Sequence, residues 1–302
     1  MRAIVTGANG FVGSALVKKL IKEGHQVLAI DISFAKPRFE PNKLVRTMEL
    51  SIEKIASLKE CIKPGEYDTF YHFAWLGSAG PLRSDEKVQT QNALWTVDCL
   101  RVAHELGCKK FICAGTIMEF EVHEVMYAQG TKPATQYIYG VGKVLAHELC
   151  KPLANELGID LVWSYITNAY GVGENSPRFI NTTLRKIIAK EPLEFTSGMQ
   201  NYDFIYIDDV AEAFYLLGLK GKANKAYLIG SGDAKPLREF IKEMCEENSK
   251  DNPPLFGNVP FTGVNVPLET FSIKELVEDC GFKPKVSFKE GTRLTLEWLK
   301  EN

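Results

Sequence analysis

The chain has 302 residues, 45% hydrophobic and 25% charged, with 36 basic against 38 acidic residues and a net charge of −2. That length suits one large domain or two unequal ones, and the composition is ordinary for a globular protein. The balanced charge argues against a nucleic-acid partner, and no apolar run approaches the length of a membrane span.

In chain order, the apolar run Ala3 to Val5 is a strand candidate, followed by Gly7, Gly10 and Gly13 at a spacing of three. Phe11, Val12, Leu16, Val17 and Leu20 then fall close to helical period, Gly24 ends that helix, and Val27 to Ile30 is a second apolar strand closed by Asp31. A glycine turn between strand and helix lets the backbone approach a pyrophosphate, and the helix N-terminus presents free N–H groups and a positive dipole end to it. An acid about twenty residues further on accepts from ribose hydroxyls.

Ser33 to Asn42 is polar, Leu44 to Met48 is a short strand candidate, and Ser51 reads as the N-cap of a helix through Ile52, Ile55, Leu58 and Ile62 that stops at Pro64-Gly65. Asp68 to Phe73 is the next strand, a Gly/Ser/Pro loop runs to Pro81, and a long helix from about Val88 to Leu106 ends at Gly107. Lys110 to Ala114 is a strand, Glu119 to Gln136 is expected to be irregular, and Tyr139 to Leu157 is a helix ended by Gly158. Ile159 to Ile166 is one more strand, Tyr170 to Pro177 a loop, and Phe179 to Lys190 a helix. Asp203 to Ile207 is a strand, Asp208 or Asp209 is expected to cap the helix after it, and Ala226 to Ile229 returns to strand. Seven cysteines are scattered singly with no Cys-x-x-Cys pair, so buried thiols in a reducing cytoplasm are expected, and no metal. The chain enters a strand at once, and no leader segment is expected.

The alternation implies right-handed crossovers. The fold expected is α/β: a Rossmann-like doubly wound parallel sheet with a smaller mixed C-terminal substrate lobe. Residues 1–170 plus 203–230 would form the nucleotide domain. Residues 171–202 plus 231–302 would form the lobe over the carboxyl ends of the strands, where such sheets bind ligands.

Tyr139 and Lys143 stand four apart on one helix face. A free tyrosine is a poor base at neutral pH, and a nearby ammonium favours its phenolate, so the pair suits general acid/base work. Thr116, just past a strand end, is placed to hydrogen-bond an oxygen undergoing oxidation; capping a turn is its ordinary alternative role.

These pieces resemble the extended short-chain dehydrogenase/reductases, in particular their NAD-dependent sugar epimerase/dehydratase branch. The resemblance rests on Thr6-Gly-Ala-Asn-Gly-Phe-Val-Gly13, Asp31, His72-Phe-Ala74, Asn92, Ala114-Gly-Thr116, Tyr139-Gly-Val-Gly-Lys143, Asn168-Ala-Tyr-Gly171 and Tyr202-Asp-Phe-Ile-Tyr-Ile-Asp-Asp209. It implies that Gly7, Gly10 and Gly13 carry the pyrophosphate of NAD, with Phe11 and Val12 at the helix start and Asn9 among the cofactor contacts, that Asp31 binds its ribose, and that Glu49 and Leu50 lie by adenine. Phe73 and Ala74 would line the cofactor and Asn92 would support the loop between strand and helix, with Thr116, Tyr139 and Lys143 as the catalytic trio. Asn168 would contact a sugar or nucleotide-sugar substrate, and a homodimer through the two long helices is implied.

Two departures matter. Dehydratases of the family carry Asp-Glu directly after the threonine, where this chain has Ile117 and Met118, which cannot transfer protons. An arginine common before the late Asp-Phe is Tyr202 here, so Arg178 or Arg185 is the candidate to meet substrate phosphates. Asp31 favours NAD over NADP because a carboxylate repels a 2′-phosphate, although Lys36 and Arg38 lie downstream. The expected activity is a sugar epimerase oxidising a hydroxyl at C4. A reductase or dehydrogenase of a 4-keto or 6-deoxy sugar is the alternative, and a dinucleotide-sensing protein without chemistry a third.

Overall fold

Seven parallel strands make the central sheet: β1 (Arg2–Thr6), β2 (Gln26–Asp31), β3 (Val45–Glu49), β4 (Thr69–His72), β5 (Lys110–Thr116), β6 (Asp160–Ile166) and β7 (Lys225–Ile229). The computed structural model describes residues 1–128, 130, 132–249 and 252–302. Strand order is β7-β6-β5-β4-β1-β2-β3. The order reverses beside β1, whose neighbours are β2 and β4, and a crevice opens there at the carboxyl ends. Register brings those ends level, with Thr6 opposite both Ile30 and His72, and Thr116 opposite Ile166.

Period-two alternation sends side chains to two separate cores. Ala3 and Val5 pack with Leu16, Val17 and Leu20 of α1 (Phe11–Lys22), whereas Ile4, Leu28, Phe70 and Phe111 pack with Leu100, Leu106 and Trp163 on the other face. That second face is covered by α2 (Glu86–Glu105) and α4 (Ile138–Leu157), which pack on each other. Asp85 caps α2 by accepting from the N–H groups of Lys87 and Val88, and Gly158, at φ +68°, ends α4. The remaining helices are α3 (Met118–Tyr127), α5 (Phe179–Ala189), α6 (Ile207–Lys220), α7 (Leu237–Asn248), α8 (Lys274–Cys280) and α9 (Phe288–Glu301). Among the described residues no helix is long and apolar enough to cross a membrane.

Four local expectations need correction. The helix after Ser51 is a 3₁₀ turn, Ile52–Ser57, and one short α-turn, Leu58–Cys61; Ser51 makes no side-chain cap, and Ile55 and Leu58 bury at the spacing a 3₁₀ turn favours. Much of the stretch expected to be irregular is α3, because Val122 and Val125 pack on Tyr137 and Val144; Gln129 and Thr131 of that stretch lie outside the described residues. Neither Asp208 nor Asp209 caps α6. Instead Asp209 is buried and accepts from the N–H groups of Lys285 and Val286, both at 2.9 Å, tying the C-terminal segment to α6. The late strand is Phe204–Tyr206, and it pairs with Asn168–Tyr170 outside the main sheet, which only Lys225–Ile229 rejoins.

His72, at the end of β4, is buried between Thr6 Oγ1 at 2.9 Å and Thr96 Oγ1 at 3.1 Å, linking β1, β4 and α2. Burial, aided by the nearby charge of Lys143, pushes its pKa down to about 3. The unfolded chain therefore takes up this proton first, so stability is complete above about pH 6.5 and is lost as pH falls toward the folded value. Wild-type Tm is expected to fall more steeply from pH 6.5 to 4 than that of His72→Asn; parallel pH profiles would contradict the buried neutral imidazole.

Candidate active site

The turn after β1 is dictated by contact. Gly7 sits at φ +66°, and a Cβ there would lie 2.7 Å from the backbone nitrogen of Ala74. A Cβ on Gly13 would lie 2.0 Å from the carbonyl oxygen of Gly7, so α1 starts pressed against the turn. No side chain caps α1 at Gly10, which leaves its leading N–H groups for an anion.

A cavity of about 760 Å³ runs from this turn across the strand ends. Gly7, Gly10, Phe11, Val12, Gly13, Asp31, Leu50, Phe73 and Ala74 line it toward the turn, and Thr116, Tyr139 and Lys143 line it beyond β5. Two expected cofactor residues, Asn9 and Glu49, stand behind the wall instead, and Asn92 holds the loop it is expected to support. Asn9 is a brace: its side chain donates to the carbonyls of Ser33 and Lys36 and accepts from the N–H of Arg38, folding the loop after β2. Glu49 accepts from the N–H of Phe34 at 2.7 Å and so fixes the same loop. Asn92 is buried, accepting from Leu76 N–H and donating to Leu76 C=O, which holds the loop between β4 and α2. Asp31 accepts from the N–H groups of Asn9 and Ile32 and keeps lone pairs free on the cavity side. Arg38 also lines this cavity, and its Nη1 donates to the carbonyl of Gly173.

Thr116 ends β5 and is buried; its Oγ1 accepts from Met118 N–H at 3.3 Å. Lys143 is buried, donates to the carbonyl of Ala114 at 2.7 Å and lies 3.6 Å over the Trp75 ring. Trp75 in turn meets the Tyr139 ring edge-on at 6.1 Å and is anchored by Nε1 donating to Gln89 Oε1. Gly142 lets α4 close on α2, since a Cβ there would lie 2.9 Å from the Gln89 carbonyl.

A second cavity, about 570 Å³, shares Thr116, Tyr139 and Arg178 with the first and adds Asn168, Tyr202, Glu121 and Arg83. Asn168 donates its side-chain N–H to the carbonyl of Asp203, and burial pushes the Tyr202 hydroxyl up to about 12. Arg178 faces Glu174 at 3.6 Å; Arg185 is exposed and lines neither cavity.

Sequence reading missed Arg83, Glu121 and Trp75. The guanidinium of Arg83 lies 4.0 Å over the Tyr139 ring, donates to the carbonyl of Ser78, and has no carboxylate within ion-pair distance among the described residues. Burial pushes its pKa down, opposed by Tyr139 and Glu121. Burial likewise pushes the Glu121 carboxyl up, opposed by Arg83. No spacing rule marks Arg83, which sits in a short 3₁₀ turn, Pro81–Ser84, that packs onto α4.

Residues 3–230 match the family model described as "NAD dependent epimerase/dehydratase family". The chain is similar to a UDP-N-acetyl-alpha-D-glucosaminuronate decarboxylase of Bacillus cytotoxicus, 27% identical over 99% of this chain and 98% of that protein. It is also similar to human dTDP-D-glucose 4,6-dehydratase, 26% identical over 100% of this chain and 90% of that protein. Among solved structures, a UDP-glucose 4-epimerase of Thermotoga maritima with UDP-glucose superposes with a TM-score of 0.79, at 24% identity over 100% of this chain and 99% of that one, and so shares the fold. The chain belongs to the NAD dependent epimerase/dehydratase family.

Proposed function

We propose that this family member is a nucleotide-sugar epimerase that oxidises one sugar hydroxyl, at C4, and restores it with opposite configuration, keeping NAD bound throughout. The observation that carries this reading is the meeting of Thr116 and Tyr139 at the wall shared by two cavities, one beginning at the glycine turn and one holding Arg83, with Arg178 lining both. NAD fits the first cavity: Gly7 and Gly13 leave no room for a Cβ, the α1 N-terminus is uncapped, and Asp31 has free lone pairs for a ribose. Bound NAD supplies a reversible hydride acceptor. Asp31 beside the cavity supports NAD over NADP.

In this reading Tyr139 removes the proton of the sugar hydroxyl. The Thr116 hydroxyl accepts from Met118 and so has its own hydrogen to donate to the sugar oxygen. Lys143 uses one hydrogen on Ala114 and keeps two for a ribose hydroxyl and for charge support of Tyr139. When the hydroxyl re-forms on the other face, Tyr139 returns the same proton, so neither protons nor electrons leave the cycle. Ile117 and Met118 offer no acid or base beside Thr116, which supports epimerisation over elimination. Residues 171–202 and 231–302 form the substrate lobe in this reading. A second copy of the chain covers Leu94, Val141 and Leu149, exposed on α2 and α4; a light-scattering mass of one chain would overturn that dimer.

Arg83 and Arg178 take the place of the arginine replaced by Tyr202 and meet the anionic part of the substrate. Arg83→Met is expected to raise KM for the nucleotide sugar by about tenfold with a smaller change in kcat, the loss of one charge-assisted contact; an unchanged KM would remove Arg83 from the substrate site. The reading as a whole is tested on purified protein. NAD that survives gel filtration and turnover without added cofactor support the epimerase, whereas stoichiometric consumption of added NADH would replace it with the reductase.

A further inference from the structure

Glu119, in the first turn of α3, belongs to neither cavity, yet its carboxylate is almost wholly buried, at 3% exposure. Its Oε1 accepts from the backbone N–H of Thr116 at 2.9 Å and from Trp163 Nε1 at 3.1 Å. Its Oε2 lies 3.2 Å from the same indole nitrogen and 3.6 Å from Nδ1 of His147. The His147 ring stacks on Trp163 at 4.4 Å with an interplanar angle of 1°, and Tyr165 Oη stands 3.3 Å from His147 Nδ1. His147 is one turn beyond Lys143 and two beyond Tyr139, on the same face of α4. Gly115 closes the packing, since a Cβ there would lie 2.5 Å from Glu119 Oε1 and 2.3 Å from Trp163 Nε1.

Thr116-Ile-Met-Glu119 has the form of a capping box: the threonine hydroxyl accepts from an N–H of the first turn and the glutamate accepts from the threonine N–H. On a surface helix such a box only starts the helix. Here it is buried, and the threonine it fixes is the one that lines both cavities beside Tyr139. Two successive anchors hold the same strand end: Lys143 takes the carbonyl of Ala114, and Glu119 takes the N–H of Thr116.

We propose that Glu119 is a positioning residue for the reaction: its buried carboxylate sets the Thr116 hydroxyl and, through Trp163 and His147, registers the end of β5 against the helix that carries Tyr139. The proposal rests on the role given to Thr116 above. It acts through an oriented acceptor, so an isosteric amide serves and a shortened or apolar side chain does not.

The test compares Glu119→Gln, Glu119→Asp and Glu119→Met, alone and with Thr116→Ala, measuring kcat per NAD-loaded site, KM, Tm and hydrogen exchange of the 113–118 segment. The expected result is that Glu119→Gln keeps kcat within about threefold, while Glu119→Asp and Glu119→Met lose about tenfold or more with KM and bound NAD little changed. In the Thr116→Ala background Glu119→Met should cost clearly less than in the wild-type background, because the part of its effect that passes through the hydroxyl is already gone. Exchange of the segment should quicken in Glu119→Asp as in Glu119→Met, which keeps the proposal decidable where one variant does not fold. An unchanged kcat per folded site in Glu119→Met, full multiplication of the two losses, or unchanged exchange would each overturn it. Wild-type protein inert toward every nucleotide sugar would instead overturn the epimerase reading, and exchange in the variants would still decide whether Glu119 anchors Thr116.

Discussion

Tyr139→Phe is expected to lower kcat by about a thousandfold while leaving NAD bound and Tm nearly unchanged, the usual weight of a positioned general acid/base. The substitution removes one hydroxyl and keeps the ring, and the ring makes the structural contacts: edge-on to Trp75 and beneath the Arg83 guanidinium. Packing is therefore preserved where the proton relay is lost. Activity within tenfold of wild type would mean that another group, with Glu121 a carboxyl lining the same cavity as Tyr139, carries the proton.

Gly13→Ala should have the second large effect, on cofactor binding rather than on chemistry. The added methyl would stand 2.0 Å from the Gly7 carbonyl and 2.8 Å from its carbon, all backbone on both sides. Neither side can yield without moving α1 away from the turn, so the cradle and the helix N-terminus separate. A loss of about 1–3 kcal/mol of stability is expected from such overpacking, with NAD affinity reduced by more than about tenfold. Gly24→Ala is the control, since its Cβ meets nothing within 4 Å although its φ is +78°; it should cost stability without touching NAD affinity. Equal NAD affinity in Gly13→Ala and wild type, by titration calorimetry on stripped protein, would show that the turn is not the pyrophosphate cradle.

The parts of this molecule that were legible in the sequence are those governed by local rules. Gly7 and Gly13 are required by a strained turn and a backbone approach, so their spacing marks the site directly. Tyr139 and Lys143 share a helix face by period alone, and the inner strands of the sheet are readable because burial on both faces makes them largely apolar, unlike the exposed edge strand β3. What escaped depends on the chain returning to itself. Asn9 lies in the motif yet braces residues 33–38, since its side chain faces the loop after β2. Asp209 looked like a helix cap and is a clasp for Lys285 and Val286, which lie 76 and 77 residues away. Arg83 carries no motif; only the folding of residues 76–84 against α4 brings it to the Tyr139 ring. The absence of an arginine at Tyr202 is visible in the sequence, and the nearness of Arg83 to Tyr139 is not.

The central claim is that one hydroxyl-bearing carbon gives up its hydrogen and regains it on the same protein molecule. A nucleotide sugar that the enzyme turns over, deuterated at C4, tests this directly when incubated without added cofactor. The predicted product is the C4 epimer with its deuterium still at C4. Deuterium lost to solvent, or found in free reduced nicotinamide, would contradict it.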